Sequence, residues 1–244
     1  MDHANDILIR KLKEHTRLSP VDTAALQTLT HTTRELAAGE DVVRQGDKPR
    51  VAALVLKGMV GRYHTRPAGN RQYISFHISG DMPDSQSLFL DQMDHSVCAV
   101  GSGAVVSLFP HHEILRMFET HPPAGYAFWR ETLIDAAIFR EAITNNSSRP
   151  VRARIAHFMC EQFYRARAAG LGTETTCRLP ISQMQLGETL GISVVTANRA
   201  LQALRRTGAM EFRDSTLTIK NWDRLTSLGE FDPRYLHLTR QNRI

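Results

Sequence analysis

Four polar side chains, Thr196, Asn198, Arg199 and Gln202, fall on the outward row of one short helical stretch. They offer a hydroxyl, two amides and a guanidinium, the groups that hydrogen-bond base edges and phosphates. The stretch that carries them runs from Ile181 to Gly208 and reads as two short helices joined by a tight turn. Ser182 with Gln185 three residues later is the serine–glutamine form of a capping box. Leu186 and Leu190 repeat at i, i+4 on the face of the first helix. Gly187 is small where a second helix crosses closely, and Gly191 sits at the turn, where positive φ costs glycine little. Ser193 caps the second helix, and Ala197, Ala200, Leu201 and Leu204 form its buried side. Leucines at helical spacing occur in any helical hairpin. The Gly187-to-Gly191 interval, the caps and the polar outward row narrow the reading to a helix-turn-helix, whose second helix enters the major groove of DNA. After Gly208, the segments 209–213 and 217–219 read as two short strands around a turn at 214–216, the shape of a wing.

Elsewhere the sequence offers little chemistry. Cys98, Cys160 and Cys177 are too few and too dispersed for a disulfide frame, a zinc site or an iron–sulfur cluster. His64, His77, His95, His111 and His112 raise the idea of a cupin-like metalloenzyme. Cupin ligands need alternate strand positions, however, and the adjacent His111 and His112 would point to opposite faces of a strand. No catalytic residues, metal or cofactor are therefore expected. Charge is uneven: residues 149–220 carry a balance of +6, residues 1–148 a balance of −2 and residues 221–244 a balance of +1. A basic excess centred on the helix-turn-helix is the footprint of a polyanion-binding domain.

With 244 residues, 42% of them hydrophobic and 23% charged, the chain can bury a sizeable core and divide into domains. No apolar run approaches a membrane span, and MDHANDILIR lacks a signal pattern, so a cytoplasmic protein is expected. Residues 6–34 read as helical, with Ser19-Pro20 as a cap and first-turn proline. Segments 35–39, 41–46, 52–59, 61–65, 72–78, 96–100 and 104–109 read as strands. They are separated by turn signals at Gly46-Asp47, at residues 67–70, at Gly80-Asp81 and at residues 101–103, which argues for an antiparallel roll. Residues 111–120 form a short helix broken by His121-Pro122-Pro123. Residues 124–144 then form a long helix with two apolar stripes, Tyr126, Trp129, Leu133, Ala136 and Ala127, Ile134, Ile138. One stripe packs on the roll, and the other is expected to meet the same helix of a second copy. Residues 145–150 read as a hinge, and 151–169 as an amphipathic helix with Ile155, Phe158, Met159 and Phe163 inward. The apolar tail after Asn221 is expected to dock on the preceding domain.

This order of roll, long helix, hinge and winged helix-turn-helix resembles the Crp/Fnr superfamily of bacterial transcription regulators along nearly the whole chain. The resemblance is carried by Gly39-Glu40, Gln45-Gly46-Asp47, Leu54 to Gly58, Gly80-Asp81, Leu88-Phe89 and the set Gly187, Gly191, Arg199. It implies an α+β fold with a cyclic-nucleotide-binding-like β-roll over residues 1–122, a dimerisation helix over 123–146 and a DNA-binding domain over 147–244. It further implies a homodimer on an inverted repeat of double-stranded DNA, with RNA polymerase as partner and no membrane. The effector pocket falls on Asp84, Ser85, His95 and Ser96. There, serine stands at the position of the ribose-binding glutamate, and His95-Ser96 at the position of the phosphate-binding Arg-Ser pair. A neutral histidine lacks arginine's permanent bidentate grip, so cyclic AMP is not the expected effector. The N-terminal cysteine cluster of the oxygen-sensing branch is missing, and the effector stays unassigned. In the recognition helix, Val194 and Val195 replace an arginine and a base-reading glutamate, while Arg199 matches the retained arginine. The expected DNA-contacting set is Ser182, Ser193, Val194, Val195, Thr196, Asn198, Arg199 and Gln202, with Arg199 reading a guanine. The valines leave a rival open, a signal-binding or protein-interaction module that has lost operator binding.

Overall fold

The structure, a computed structural model, describes residues 4–67 and 69–238. Sequence readings that extend over residues 1–3, Ala68 and 239–244 lie outside the described residues. The chain forms two compact units, Met1–Leu133 and Ile134–Ile244.

The first unit opens with helices α1 (Ala4–Lys13) and α2 (Pro20–Gln27), the second starting at the expected cap and proline; the helical reading to residue 34 runs too far, since α2 ends at Gln27 and a strand begins at Thr32. Ser19 accepts a hydrogen bond from the Asp22 amide while Asp22 answers to the Ser19 amide, a reciprocal cap with Pro20 in the first turn. An antiparallel sheet follows: β1 (Thr32–Leu36), β2 (Asp41–Val43), β3 (Val51–Thr65), β4 (Arg71–His77) and β5 (Ser96–Pro110), in the order β1-β5-β3-β4 with β2 on β5. A 3₁₀ turn, Ser85–Leu88, lies between β4 and β5. The sequence splits both β3 and β5 in two, whereas each is a single strand of 15 residues. The glycines bend the strands instead of ending them. The register between β3 and β5 slips beside Gly58, at φ +81°. A side chain at Gly58 would lie 2.5 Å from the Gly103 carbonyl oxygen, and one at Gly103 would strike that of Leu36.

Side-chain alternation along β3 divides the core. Ala53, Val55 and Val60 point into the roll with Leu36, Val97, Ala99 and Val106. Ala52 and Leu54 point the other way, against Leu8, Leu12, Leu26, Ile114 and Phe128. Helix α3 (His111–Thr120) ends at His121, and α4 (Pro122–Ser148) starts at the prolines read as breakers, because a helix's first positions need no amide donor. Helix α4 also absorbs most of the expected hinge. Nothing in Asn145-Asn146-Ser147-Ser148 forbids helix, and Asn145 is buried with its amide donating to the Arg154 carbonyl at 3.2 Å. Only Arg149-Pro150 interrupts the chain, since the residue before proline avoids helical geometry.

The second unit is built on α5 (Val151–Ala168). Its Ile155, Phe158, Met159 and Phe163 are buried as expected and Arg152 is exposed, but the burial extends further, to His157, Glu161 and Gln162. Against it pack β6 (Thr176–Arg178), α7 (Val194–Arg206) and α8 (Trp222–Gly229). The remaining elements are α6 (Gln183–Leu190), β7 (Met210–Arg213), β8 (Thr216–Ile219) and a 3₁₀ turn, Pro233–Leu236. The sheet order is β6-β8-β7, so the wing has a third strand that the sequence reading left out. The tail docks as expected: Trp222 stacks on Tyr164 with centroids 6.3 Å apart, and Phe231 meets the Trp222 edge at 6.0 Å.

Candidate nucleic-acid interface

Each cap of the helix-turn-helix forms as its residues dictate. Ser182 Oγ accepts from the Gln185 amide at 3.1 Å, and the Gln185 side chain accepts from the Ser182 amide at 2.8 Å. Gly191 closes α6 at φ +65°. Gly187 is small for a backbone contact, since a Cβ there would sit 2.7 Å from the Ile192 carbonyl oxygen in the turn. Ser193 Oγ accepts from the Thr196 amide at 3.2 Å, and Ala197, Leu201 and Leu204 are buried.

The opposite face of α7 is open. Val195 is 60% exposed and Val194 40%, and Arg199 and Gln202 are exposed. Asn198 is half-buried at the edge of this face, and Thr196 is half-buried with its hydroxyl 2.9 Å from Ser193 Oγ. Val195, Asn198, Arg199 and Gln202 follow the i, i+3, i+4, i+7 spacing and share one stripe. Arg199 has no ion-pair partner among the described residues, which leaves its guanidinium free for a ligand. Ser182 and Ser193 are exposed at the starts of α6 and α7, where free amides and the helix dipole favour anions.

The wing is closed by Asp214 and Ser215, at φ +50° and +56°. Positive φ at both central residues is the two-residue hairpin turn whose twist suits the strands, made here without glycine. Arg178 Nη1 donates to the Asp214 carbonyl at 3.4 Å, which puts a cation at the turn. Arg205 pairs with Glu211 at 3.0 Å, and Arg224 donates to the Thr207 carbonyl at 2.7 Å. None of these three arginines was singled out from sequence. The regional basic excess was visible, but it does not say which cations flank the turn.

In the roll, three of the four expected effector residues, Asp84, His95 and Ser96, have side chains engaged with their own chain. Asp84 is fully buried and its Oδ1 accepts from the Ala53 amide at 2.8 Å; burial drives its pKa up to about 7. His95 Nδ1 lies 2.6 Å from Asp94 Oδ1, and the Gln86 amide donates to His95 Nε2 at 3.1 Å. Burial, and then the charge of Arg62, hold His95 below its usual range. Ser96 Oγ accepts from the Gln45 amide at 2.9 Å. Ser85 stands apart, on the wall of an apolar cavity of about 410 Å³ lined also by Phe89, Phe118, Tyr126 and Trp129. Arg62 is buried beside Asp84 and His95, and sequence reading passed it over. Its only signal was a lone cation in the apolar run 59–63. With a buried carboxyl and an occupied histidine, these residues do not fit a nucleotide phosphate.

The histidines of the metalloenzyme reading are dispersed among separate partners. His77 Nε2 pairs with Ser75 Oγ at 2.9 Å and His111 Nε2 with Ser87 Oγ at 3.1 Å. Among the described residues no three His, Cys, Asp or Glu side chains are placed to hold a metal, and no helix is long and apolar enough to cross a membrane.

Two family models match in tandem: a cyclic nucleotide-binding domain over residues 33–121 and a Crp-like helix-turn-helix domain over 153–228. The chain is 25% identical over 218 residues to the nitrogen fixation regulation protein FixK of Bradyrhizobium diazoefficiens, covering 86% of this chain and 88% of that one. It is 21% identical over 227 residues to the fumarate and nitrate reduction regulatory protein of Vibrio cholerae, covering 93% and 90%. Among solved structures, FixK2 from Bradyrhizobium japonicum superposes with a TM-score of 0.71 at 20% identity, over 82% of this chain and 98% of that chain. The order of roll, long helix and winged helix-turn-helix, matched in both of its domains, places this chain in the Crp/Fnr family of transcriptional regulators.

Proposed function

We propose that this chain acts as a homodimer that grips an inverted repeat of double-stranded DNA with two copies of α7. The supporting observation is the open face of α7, with a free Arg199 beside two exposed valines, set between capped helix starts and an arginine-flanked wing. Arg199 reads a guanine through O6 and N7, and Val194 and Val195 meet thymine methyls. Ser182, Ser193, Thr196, Asn198 and Gln202 add phosphate and base-edge contacts. The two α7 helices enter successive major grooves about 34 Å apart. The protein works in the cytoplasm, with RNA polymerase as its partner, and it uses no metal or cofactor. Stoichiometric iron or zinc in the purified protein would overturn that last statement.

Selection from a random duplex pool with purified protein and no added small molecule tests the reading. Enrichment of an inverted repeat with half-sites one helical turn apart is the expected result. Binding that is weak, blind to sequence and strongly salt-dependent would instead favour a module without an operator. On the enriched repeat, Arg199→Ala costs about 1–3 kcal/mol and relaxes one base position. Equal weakening on all sequences would reassign Arg199 to phosphate.

Pairing of two copies is supported by α4, where Tyr126, Trp129 and Leu133 are 67%, 63% and 50% exposed along one stripe. So much contiguous apolar surface on one helix face marks an interaction site. Trp129→Glu places a charge in that stripe and is expected to convert dimer to monomer in sedimentation velocity at micromolar concentration. A variant that stays dimeric would exclude the stripe as the interface.

A further inference from the structure

Arg62 lies on β3 and is 3% exposed, in a position where a permanently charged side chain is costly unless fully engaged. Its Nε donates to the Pro83 carbonyl at 2.7 Å. The same Pro83 carbonyl hydrogen-bonds His95, and the Arg62 charge acts on both Asp84 and His95. Asp84 is tied to the Ala53 amide, and Gln86 to His95. The segment 83–86, together with His95, is therefore closed around an arginine contributed by a neighbouring strand. The positive charge that an anionic effector would need is present, but the chain itself already engages it, the Pro83 carbonyl among its partners.

We propose that Arg62 is the roll's built-in occupant: its guanidinium fills the place of an effector and holds segment 83–86 in the DNA-binding arrangement, so no small molecule is required. The proposal rests on the regulator reading above. It assigns a regulatory role to a residue outside the four that the family resemblance points to.

The test uses the full-length chain and the DNA repeat selected with it. Wild type is expected to bind that repeat without additive, and neither cyclic AMP nor methylguanidinium at millimolar concentration changes its affinity more than twofold. Arg62→Ala loses at least tenfold in affinity, and methylguanidinium, which can enter the vacated space, restores most of the loss. Arg62→Met keeps the volume without the hydrogen bond, so it loses affinity to a similar degree but is not rescued. Methionine also avoids a buried void, which keeps the question answerable if the alanine variant does not fold. Circular dichroism and melting curves establish that the variants compared are folded. Folded variants that bind like wild type would overturn the proposal while leaving the regulator reading intact, as would cyclic AMP strengthening wild-type binding. A wild type that enriches no repeat under any condition would overturn the regulator reading itself, and this proposal with it.

Discussion

Gly229→Ala is expected to lower the unfolding free energy of the second unit by about 3 kcal/mol, at the upper end of what overpacking costs. Gly229 ends α8 where it crosses α5. An added Cβ would sit 2.6 Å from the His157 amide nitrogen, 2.8 Å from the Ala156 carbonyl carbon and 2.9 Å from the His157 Cα. These are backbone atoms inside a buried helix, so no side chain can swing aside. Relief requires moving α8, which also stretches the 3.1 Å contact between His157 Nδ1 and the Gly229 carbonyl. That contact anchors a buried polar chain: Tyr235 Oη is 3.2 Å from His157 Nε2 and 2.8 Å from Glu161 Oε2. Burial raises the Glu161 carboxyl above its usual range, so loss of Tyr235 would leave it with one partner fewer in an apolar setting. Urea unfolding followed by Trp222 fluorescence, in a Trp129→Phe background, reads the effect, because Trp222 packs 5.5 Å from Phe163 on α5. Gly170→Ala is the control: nothing lies within 4 Å of its Cβ, so only its φ of +71° resists, at about 1 kcal/mol. Equal losses from the two substitutions would mean that α8 slides freely on α5 and would sink the argument.

The second large effect is a pH dependence in the roll. Asp84 titrates near 3.8 when unfolded and at about 7 in the folded chain, because burial penalises its charged form more than the Ala53 amide and Arg62 favour it. The folded state therefore holds a proton that the unfolded state has released. The stabilisation is complete below pH 3.8, shrinks as pH rises and is gone above about 7, amounting to about 4 kcal/mol at most. His95 acts in the opposite sense over a window that ends at its ordinary 6.5, since burial and Arg62 keep it neutral when folded. Asp84→Asn isolates the carboxyl: the amide oxygen can still accept from Ala53, and no charge develops. Urea unfolding of wild type and variant between pH 5 and 8, read from Trp129 in a Trp222→Phe background, should show the variant gaining on wild type as pH rises. Parallel profiles would show that Asp84 ionises in the folded roll without penalty.

The winged half was more legible in the sequence than the roll. Caps, the positive-φ Gly191 and the buried row Ala197, Leu201, Leu204 are local signals, fixed within a few residues of one another, and each is found where its chemistry places it. The roll depends on pairings between distant residues. Gly58 and Gly103 read as punctuation because local sequence does not distinguish a turn from a bend inside a long strand, and only the partner strand settles it. β6 escaped for a similar reason: three residues, Thr176–Arg178, become a strand only because β8 is there to pair with them. The helical periodicity of α5 was clear, but its polar residues suggested a wet face. His157, Glu161 and Gln162 are buried because α8 and Tyr235 cover them, and those groups lie some 70 residues later. In the effector region the family pattern directed attention to residues 84–96, whereas Arg62 reaches the same place from β3.

The docking of residues 222–238 on α5 also orders events during synthesis. A domain completes folding only after all the segments that cover its core have left the ribosome, and α5 is closed by residues made some 70 positions after it. The helix-turn-helix emerges earlier, yet its supporting helix stays open until residues 222–238 arrive, so the DNA-binding unit is unfinished until they do. A premature stop anywhere between Ile219 and Tyr235 would leave every recognition residue encoded and remove the surface that holds them in place.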